Sequence, residues 1–279
     1  MSSNYKIFNE IRKNTSGHDA VLSNVSELGF DKDTRALHIL WMYPDALNVF
    51  GGRGDLMALM RISCLMGLPT EMRRLDSLAD DIPLDWADII YFASGDLTCM
   101  ADILKVQKTR QEDYRRYAES GRMIIAVSSS GAVLADETIM SDGTSVKGLG
   151  LLRMKMTERE KIHGDDLWFT TREGIEVTGN QIQLLDVELE EGQEPWGTIV
   201  YGRGNNDNGS EGAETGNVIY TACVGPALVR NPWLAADLLR RAAKAAGVSG
   251  EFSLDDEDIR QEILSAEEAR EFIRNKMQH

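Results

Sequence analysis

Apolar residues in the first half of this chain fall into short unbroken runs, separated by stretches with helical spacing. Leu37–Met42, Ile89–Phe92 and Met123–Val127 carry hardly any polar side chains. Runs of this kind predict strands buried on both faces, as in a parallel sheet. The first run ends at Tyr43-Pro44-Asp45, where proline removes a ladder donor. A Gly51-Gly52-Arg53-Gly54 turn follows. Asp55 then offers an N-cap, with Leu56, Leu59, Met60 and Ser63 on one face of a helix. The second run opens into Ala93-Ser94-Gly95-Asp96 and a long helical stretch through Tyr117. Strand–helix–strand–helix–strand predicts an α/β fold: an open, mostly parallel sheet with helices on both faces, in a flavodoxin-like three-layer arrangement. Ahead of it, Val21, Leu22, Val25 and Leu28 share a helical face and predict a short docked helix before the charged hinge Asp31–Arg35.

The pattern changes after residue 150. Leu167–Thr171, Ile182–Leu184, Thr198–Tyr201 and Val218–Thr221 read as short strands. Leu185, Val187 and Leu189 resume alternation after a phase slip, which predicts a bulge. Gly202–Gly216 is too rich in Gly, Asn and Asp for regular structure, and a loop of that length is either a binding loop or disorder. Asn231-Pro232 opens a helix with Leu234, Leu238, Leu239 and Ala242 on its core face and Gly247 as C-cap. The acidic tail predicts two short helices, the last with a Ser265/Glu268 capping box and an apolar stripe of Ala269, Phe272, Ile273 and Met277. That stripe packs either on this protein's core or on a partner. The resulting division is a leader over 1–30, one domain over 31–247 and a helical extension over 248–279.

Composition narrows the function. Of 279 residues, 45 are acidic and 30 basic, a net charge of −15, which argues against nucleic acid as a partner. No signal-like segment or spanning helix is expected, hence a cytoplasmic setting without membrane insertion. Cys64, Cys99 and Cys223 have no metal-like spacing, so neither a metal nor a disulfide framework is expected, and no cofactor is implied. The only histidines are His18, His38, His163 and His279, which restricts any mechanism needing an imidazole base.

The informative site is Val127-Ser128-Ser129-Ser130-Gly131. A buried-strand run precedes it and a helix start, Ala132-Val133-Leu134-Ala135, follows. Strand, tight turn, helix is the place where many α/β enzymes hold a nucleophile.

Other segments add to this. Tyr43-Pro44-Asp45, Leu47-Asn48 and Gly51-Gly52-Arg53-Gly54-Asp55 are followed by Asp142-Gly143 and Gly148-Leu149-Gly150-Leu151-Leu152. Then come Gly202, Gly204-Asn205-Asn206, Glu211-Gly212-Ala213, Gly216-Asn217-Val218-Ile219, Gly225-Pro226 and Leu228-Val229-Arg230-Asn231-Pro232. In this order and spacing the chain resembles the class I glutamine amidotransferases of the cobyric-acid-synthase type, and within them the GatD-type glutaminase subunits of lipid II isoglutaminyl synthase. The resemblance implies a cysteine nucleophile on the elbow, a histidine that activates it, and backbone amides that hold the oxyanion. It puts the cysteine on Ser128, elbow glycines on Ser129 and Ser130, and the histidine on Val224. Asn180-Gln181-Ile182 stands at the family's Glu-Asn-His, and Ala93–Leu97 at its glycine-rich oxyanion loop. Asp55 replaces an asparagine.

These departures cluster at one place. A serine hydroxyl needs a base to become a nucleophile, and Val224 accepts no proton. Cβ atoms on Ser129 and Ser130 lead one to expect a relaxed elbow. The reading is a catalytically degenerate subunit: no catalytic residue is expected, with Ser128 and Val224 as relic positions. The pocket candidates are Ser94, Gly95, Ser128, Ser129, Ser130, Asn205 and Asn206, taking a small anionic or amide ligand if any. The resemblance implies as partner a Mur-ligase-like, ATP-dependent amide ligase of peptidoglycan-precursor modification. Two alternatives stand beside it. One is a glutaminase working through Ser128 with His38 or His163, or through Cys223 or Cys99. The other is a stand-alone ligand sensor. Gly52–Asp55 reads either as a phosphate turn or as a demanding turn with Arg53 paired to an acid.

Overall fold

Every residue of Ile89–Phe92 and Met123–Val127 is buried, and the two runs pair in parallel at the centre of a seven-stranded sheet. The computed structural model describes residues 21–278. In chain order its first half comprises β1 (Val21–Ser23), β2 (Leu37–Met42), α1 (Gly52–Leu65), β3 (Thr70–Leu75), β4 (Ile89–Phe92), α2 (Leu97–Lys108), α3 (Gln111–Glu119) and β5 (Met123–Val127). A 3-10 turn over Ser128–Ser130 runs straight into α4 (Gly131–Leu134). Then follow β6 (Glu137–Ile139), β7 (Ser145–Val146), β8 (Met154–Thr171), β9 (Glu176–Leu189), β10 (Gly197–Tyr201), β11 (Ser210–Glu211), β12 (Ala213–Thr215), β13 (Val218–Thr221) and β14 (Cys223–Val224). The chain closes with α5 (Ala227–Arg230), α6 (Pro232–Ala246), a 3-10 turn over Asp256–Ile259 and α7 (Arg260–Met277).

The central sheet has the order β1-β3-β2-β4-β5-β13-β12. The strands from β3 to β13 are parallel, and the edges β1 and β12 are antiparallel. Helices lie on both sides, as the α/β reading requires. A second sheet, β11-β10-β8-β6-β7 with β9 between β8 and β14, is built from the segment after the elbow. Among the described residues, no helix is long and apolar enough to cross a membrane.

Several expectations are corrected. Val21–Ser23 is an edge strand, not part of a helix. Asn24 decides this: buried, it donates to Ser63 Oγ and Leu68 O, each at 3.1 Å, and accepts from Thr70 N at 2.7 Å. Leader residues 1–20, with His18, lie outside the described residues, as does His279. β3 was not anticipated, because Glu71, Arg73 and Arg74 interrupt its apolar pattern. The guanidinium of Arg73 lies 4.3 Å from the Trp86 ring, so the charge is carried on an aromatic face. The stretch to Tyr117 is two helices, broken at Thr109, whose hydroxyl bonds back to Val106 O at 2.7 Å. Asp55 is not an N-cap: α1 starts at Gly52 after a left-handed Gly51. Ser265 lies inside a single helix, since Asp255 caps the preceding turn through Glu257 N at 3.0 Å and the helix runs on from Arg260.

β8 and β9 are one long hairpin rather than short strands. β9 alternates without a slip, with Val177, Gly179, Gln181, Gln183, Leu185 and Val187 all buried. The irregularity belongs to β8, where residues 159–162 stand opposite Leu184 alone. Gln181 and Gln183 face inward because the following loop satisfies them. Gln181 Nε2 donates to Gly204 O at 3.1 Å, and Gln181 Oε1 accepts from Arg203 N at 3.1 Å and Gly204 N at 3.2 Å. The segment Gly202–Gly216 is thus held in place and contains β11 and β12.

Candidate functional site

β5 delivers Ser128 to the carboxyl end of the central sheet, where open α/β sheets place their ligands. Ser128 has φ +53° and is 5% exposed. The elbow has therefore not relaxed. Left-handed backbone is needed at Ser128 alone, while Ser130 has φ −69°, so Cβ atoms on the following serines are accommodated. A non-glycine residue held in this region costs about 1–3 kcal/mol, which surrounding structure must over-determine.

Ser129 and Ser130 turn their hydroxyls into the loop after β4. Ser129 Oγ donates to Gly95 O at 2.7 Å and accepts from Gly95 N at 3.0 Å. Ser94 Oγ lies 3.4 Å from Ser129 Oγ, and Ser130 Oγ donates to Ala93 O at 2.5 Å. On its other side this loop is pressed by the β2–α1 connection. A Cβ on Gly95 would lie 2.4 Å from Leu47 Cδ2, and one on Gly52 2.5 Å from Ala93 Cβ. Ser94, Gly95, Ser128, Ser129 and Ser130 are therefore brought together, and the Gly95 amide is already occupied by a side chain of the elbow.

Val224 lies at the same end of the molecule. Thr221 of β13 is in register with Val127, and the chain continues through Ala222 and Cys223 to Val224, which pairs with Asn180 of β9. Val224 is buried and has nothing with which to accept a proton. Among the described residues, none hydrogen-bonds the Ser128 hydroxyl. His38 opens β2 at the opposite, amino end of the sheet. Its ring stacks on Trp86 at 4.4 Å, its Nδ1 is 2.9 Å from Trp86 O, and burial above all lowers its pKa. His163 lies within β8 opposite Gln183.

Asn205 and Asn206 belong to the loop held on β9. Asn205 is fully buried, donates to Gly212 O at 2.7 Å and accepts from Gly212 N at 3.2 Å. Asn206 Oδ1 accepts from Arg203 at 2.8 Å. These bonds close their own loop and none reaches the elbow serines. Cys223 is buried, and burial pushes its thiol well above the ordinary value. Burial raises the Cys99 thiol as well. Gly51 and Gly54 are needed for close approach, since a Cβ on either would meet Pro226 at 3.0 and 2.6 Å. Arg53 has no acidic partner among the described residues, and its backbone N–H donates to Asn48 Oδ1 at 3.0 Å.

Two buried acids escaped the sequence reading as site elements. Asp55 Oδ1 accepts from Leu228 N at 2.7 Å and also meets Tyr91; burial pushes its pKa up to about 7. It fastens α1 to the turn that carries Gly225 and Pro226. Glu211 Oε1 accepts from Thr221 Oγ1 and Ala222 N, each at 2.8 Å, and burial likewise raises it to about 7. It braces the corner leading to Val224, while its Oε2 has no partner among the described residues. The signal for Glu211 was its place in Glu211-Gly212-Ala213, a charge among small residues.

This arrangement of elbow, glycine loop and β-hairpin is accompanied by similarity in sequence. The family model for the CobB/CobQ-like glutamine amidotransferase domain matches residues 38–228. The chain belongs to this family. The subunit GatD of lipid II isoglutaminyl synthase (glutamine-hydrolyzing) from Streptococcus pneumoniae is 28% identical over 220 residues, covering 75% of this chain and 81% of that protein. The protein of the same name from Staphylococcus aureus is 24% identical over 221 residues, covering 76% and 88%. The solved structure of PurLQS from Thermotoga maritima matches with a TM-score of 0.52 at 13% identity, covering 76% of this chain and 98% of that chain. A likeness at that identity shows a shared fold alone.

Proposed function

We propose that this chain is a catalytically silent glutamine amidotransferase-like subunit. It acts by contact with a Mur-ligase-like, ATP-dependent amide ligase in the modification of a cell-wall precursor. The support for the setting is that its relatives are named as subunits of a glutamine-hydrolysing lipid II isoglutaminyl synthase. The observation that carries the silence is the Gly95 amide. It donates to Ser129 Oγ, so a donor that an oxyanion would need is already engaged, while Ser128 faces no base. The ligase in such a pair would take free ammonia or another amine. Three unpaired thiols fit a reducing, cytoplasmic setting.

The C-terminal extension supplies the contact surface. Ala266 and Ile273 of α7 are buried, Arg61 pairs with Glu262 at 2.7 Å, and the Arg274 guanidinium lies 5.0 Å from the Trp168 ring. One side of the helix is thus docked on its own protein. Leu264 and Phe272 remain 45% and 62% exposed, and Met277 53%. Deleting Ser253–His279 should lower the melting temperature, because it uncovers the groups beneath α7. Leu264→Asp and Phe272→Asp should leave the melting temperature within about 2 °C and abolish co-purification of the ligase from the native host. Recovery of the same ligase with both variants would remove α7 from the interface. Recovery of no ligase with the wild type would remove the proposed function.

A further inference from the structure

The last helix is attached differently from the one before it. Of the 15 residues of α6, eight are buried; of the 18 of α7, only Ala266 and Ile273 are. Between α7 and the body the packing leaves a cleft of about 360 Å³, with Ile175 and Trp233 on the body and Ile259, Ile263 and Arg270 on the side of the extension. Apolar burial therefore contributes little to the attachment.

Charge takes its place. Arg61 Nη1 of α1 lies 2.7 Å from Glu262 Oε1. Glu176 of β9 meets Arg270 at 3.2 Å, across the cleft that both line. Toward the end of the helix the Arg274 guanidinium lies 5.0 Å from the Trp168 ring. Lys276 Nζ lies 5.0 Å from the Tyr201 ring and pairs with Asp165 and Asp166 of β8. These contacts follow α7 from its first turn to its last. Asp166 Oδ1 also accepts from Asn180 Nδ2 at 3.3 Å, and Asn180 pairs with Val224. The foot of α7 thus stands one side chain away from the strand beside Val224. Residues 247–255, which join α7 and its 3-10 turn to α6, belong to no helix or strand and reach about 30 Å when extended.

We infer that α7 is an electrostatic strap. Charged contacts hold it on α1 and on the β8–β9 hairpin, and raised ionic strength frees it as a unit while the central sheet stays closed. Freed, it uncovers Trp168, which is 5% exposed, and the acids beside Asn180. Salt separates the two modes of attachment, because it screens ion pairs but does not weaken apolar burial. A helix held by its apolar face would stay in place. The inference concerns the inner face of α7 and does not depend on a ligase meeting the outer one.

Hydrogen exchange of the full-length protein, followed by mass spectrometry in low and high sodium chloride, reads the strap directly. Single exposed pairs contribute little, but several on one helix act together. Exchange across Arg260–Met277 should rise about tenfold in high salt, with β4 and β5 unchanged. At low salt Arg270→Glu should produce a rise in the same segment, because it sets two carboxylates against each other across the cleft. Adding Glu176→Arg should restore slow exchange, since it rebuilds the pair with the signs reversed. Protection of β4 and β5 reports in each variant that the fold is intact, and the wild-type salt series decides the matter where a variant does not fold. Exchange of α7 that is unchanged or slower in high salt would overturn the inference. So would α7 and the central sheet opening together, or a double variant that exchanges as fast as Arg270→Glu alone.

Discussion

Purified protein should release no glutamate from glutamine above background, alone or with any ligase that co-purifies, and Ser128→Cys should not change that. The thiol would gain intrinsic nucleophilicity, but Val224 provides no base, and the Gly95 amide would still donate to Ser129 Oγ. Losing one oxyanion donor costs about 10²–10³ in kcat in a working enzyme, so an engaged donor is enough to hide a repaired nucleophile. The elbow itself is not the obstacle, because Ser128 already holds φ +53°. The smallest set expected to recover measurable hydrolysis is Ser128→Cys with Val224→His and Ser129→Gly, the last of which frees the Gly95 N–H. Reverting Ser129→Gly within that triple variant should lower the rate again by about 10²-fold or more. Wild-type turnover that disappears in Ser128→Ala would refute the silent reading.

Stability should fall as pH rises from about 4 to about 7, and Asp55→Asn should flatten that fall. Asp55 is raised from 3.8 to about 7 by burial, and Glu211 from 4.5 to about 7. Over this interval the folded protein keeps protons that the unfolded chain has released. Their contribution is present in full below the unfolded values and is lost as pH climbs through about 7. For Asp55 the difference is on the order of 4 kcal/mol. Exposed carboxylates act in the opposite sense at lower pH: the Arg110 hydrogen bond holds Asp113 down, so its contribution is lost only on strong acidification. Asparagine keeps an acceptor for Leu228 N and can donate to Tyr91, so Asp55→Asn should stabilise at pH 8 by about 2 kcal/mol or more, and by less at pH 5. Glu211→Gln should gain less, since it places a new amide donor where Oε2 has no partner. Urea denaturation of wild type and variants at the two pH values gives the comparison. Identical pH slopes for wild type and Asp55→Asn would show that Asp55 ionises freely in the fold.

The parallel core was legible because a strand buried on both faces leaves no place for polar residues. β2, β4 and β5 announce themselves as unbroken apolar runs, and their order imposes the sheet. β3 was hidden because its charged positions are tolerated only by neighbours, Trp86 under Arg73 among them. The site was legible as a location, through the turn between Met123–Val127 and Ala132, and as a set of residues to inspect, through the family motifs. What the side chains there do was not. Ser129 and Ser130 suggested a loosened elbow, whereas their hydroxyls tie the elbow to the Ala93–Gly95 loop.

The sequence by itself determined the class of fold and the position of the elbow, because burial pattern and side-chain chemistry are local properties. Only the tertiary structure decided which polar groups are answered. Gln181 and Gln183 lie on the inner face of β9 because the backbone of Arg203 and Gly204, distant in sequence, meets them there. Asp55 is a buried clamp rather than a helix cap because Leu228, 173 residues away, brings it an N–H. The Gly95 amide is engaged because Ser129 returns to it across the sheet from the next strand. A hydrogen bond between residues far apart in the chain leaves no periodic trace in either segment, so the state of this site became visible only once the strands were placed side by side.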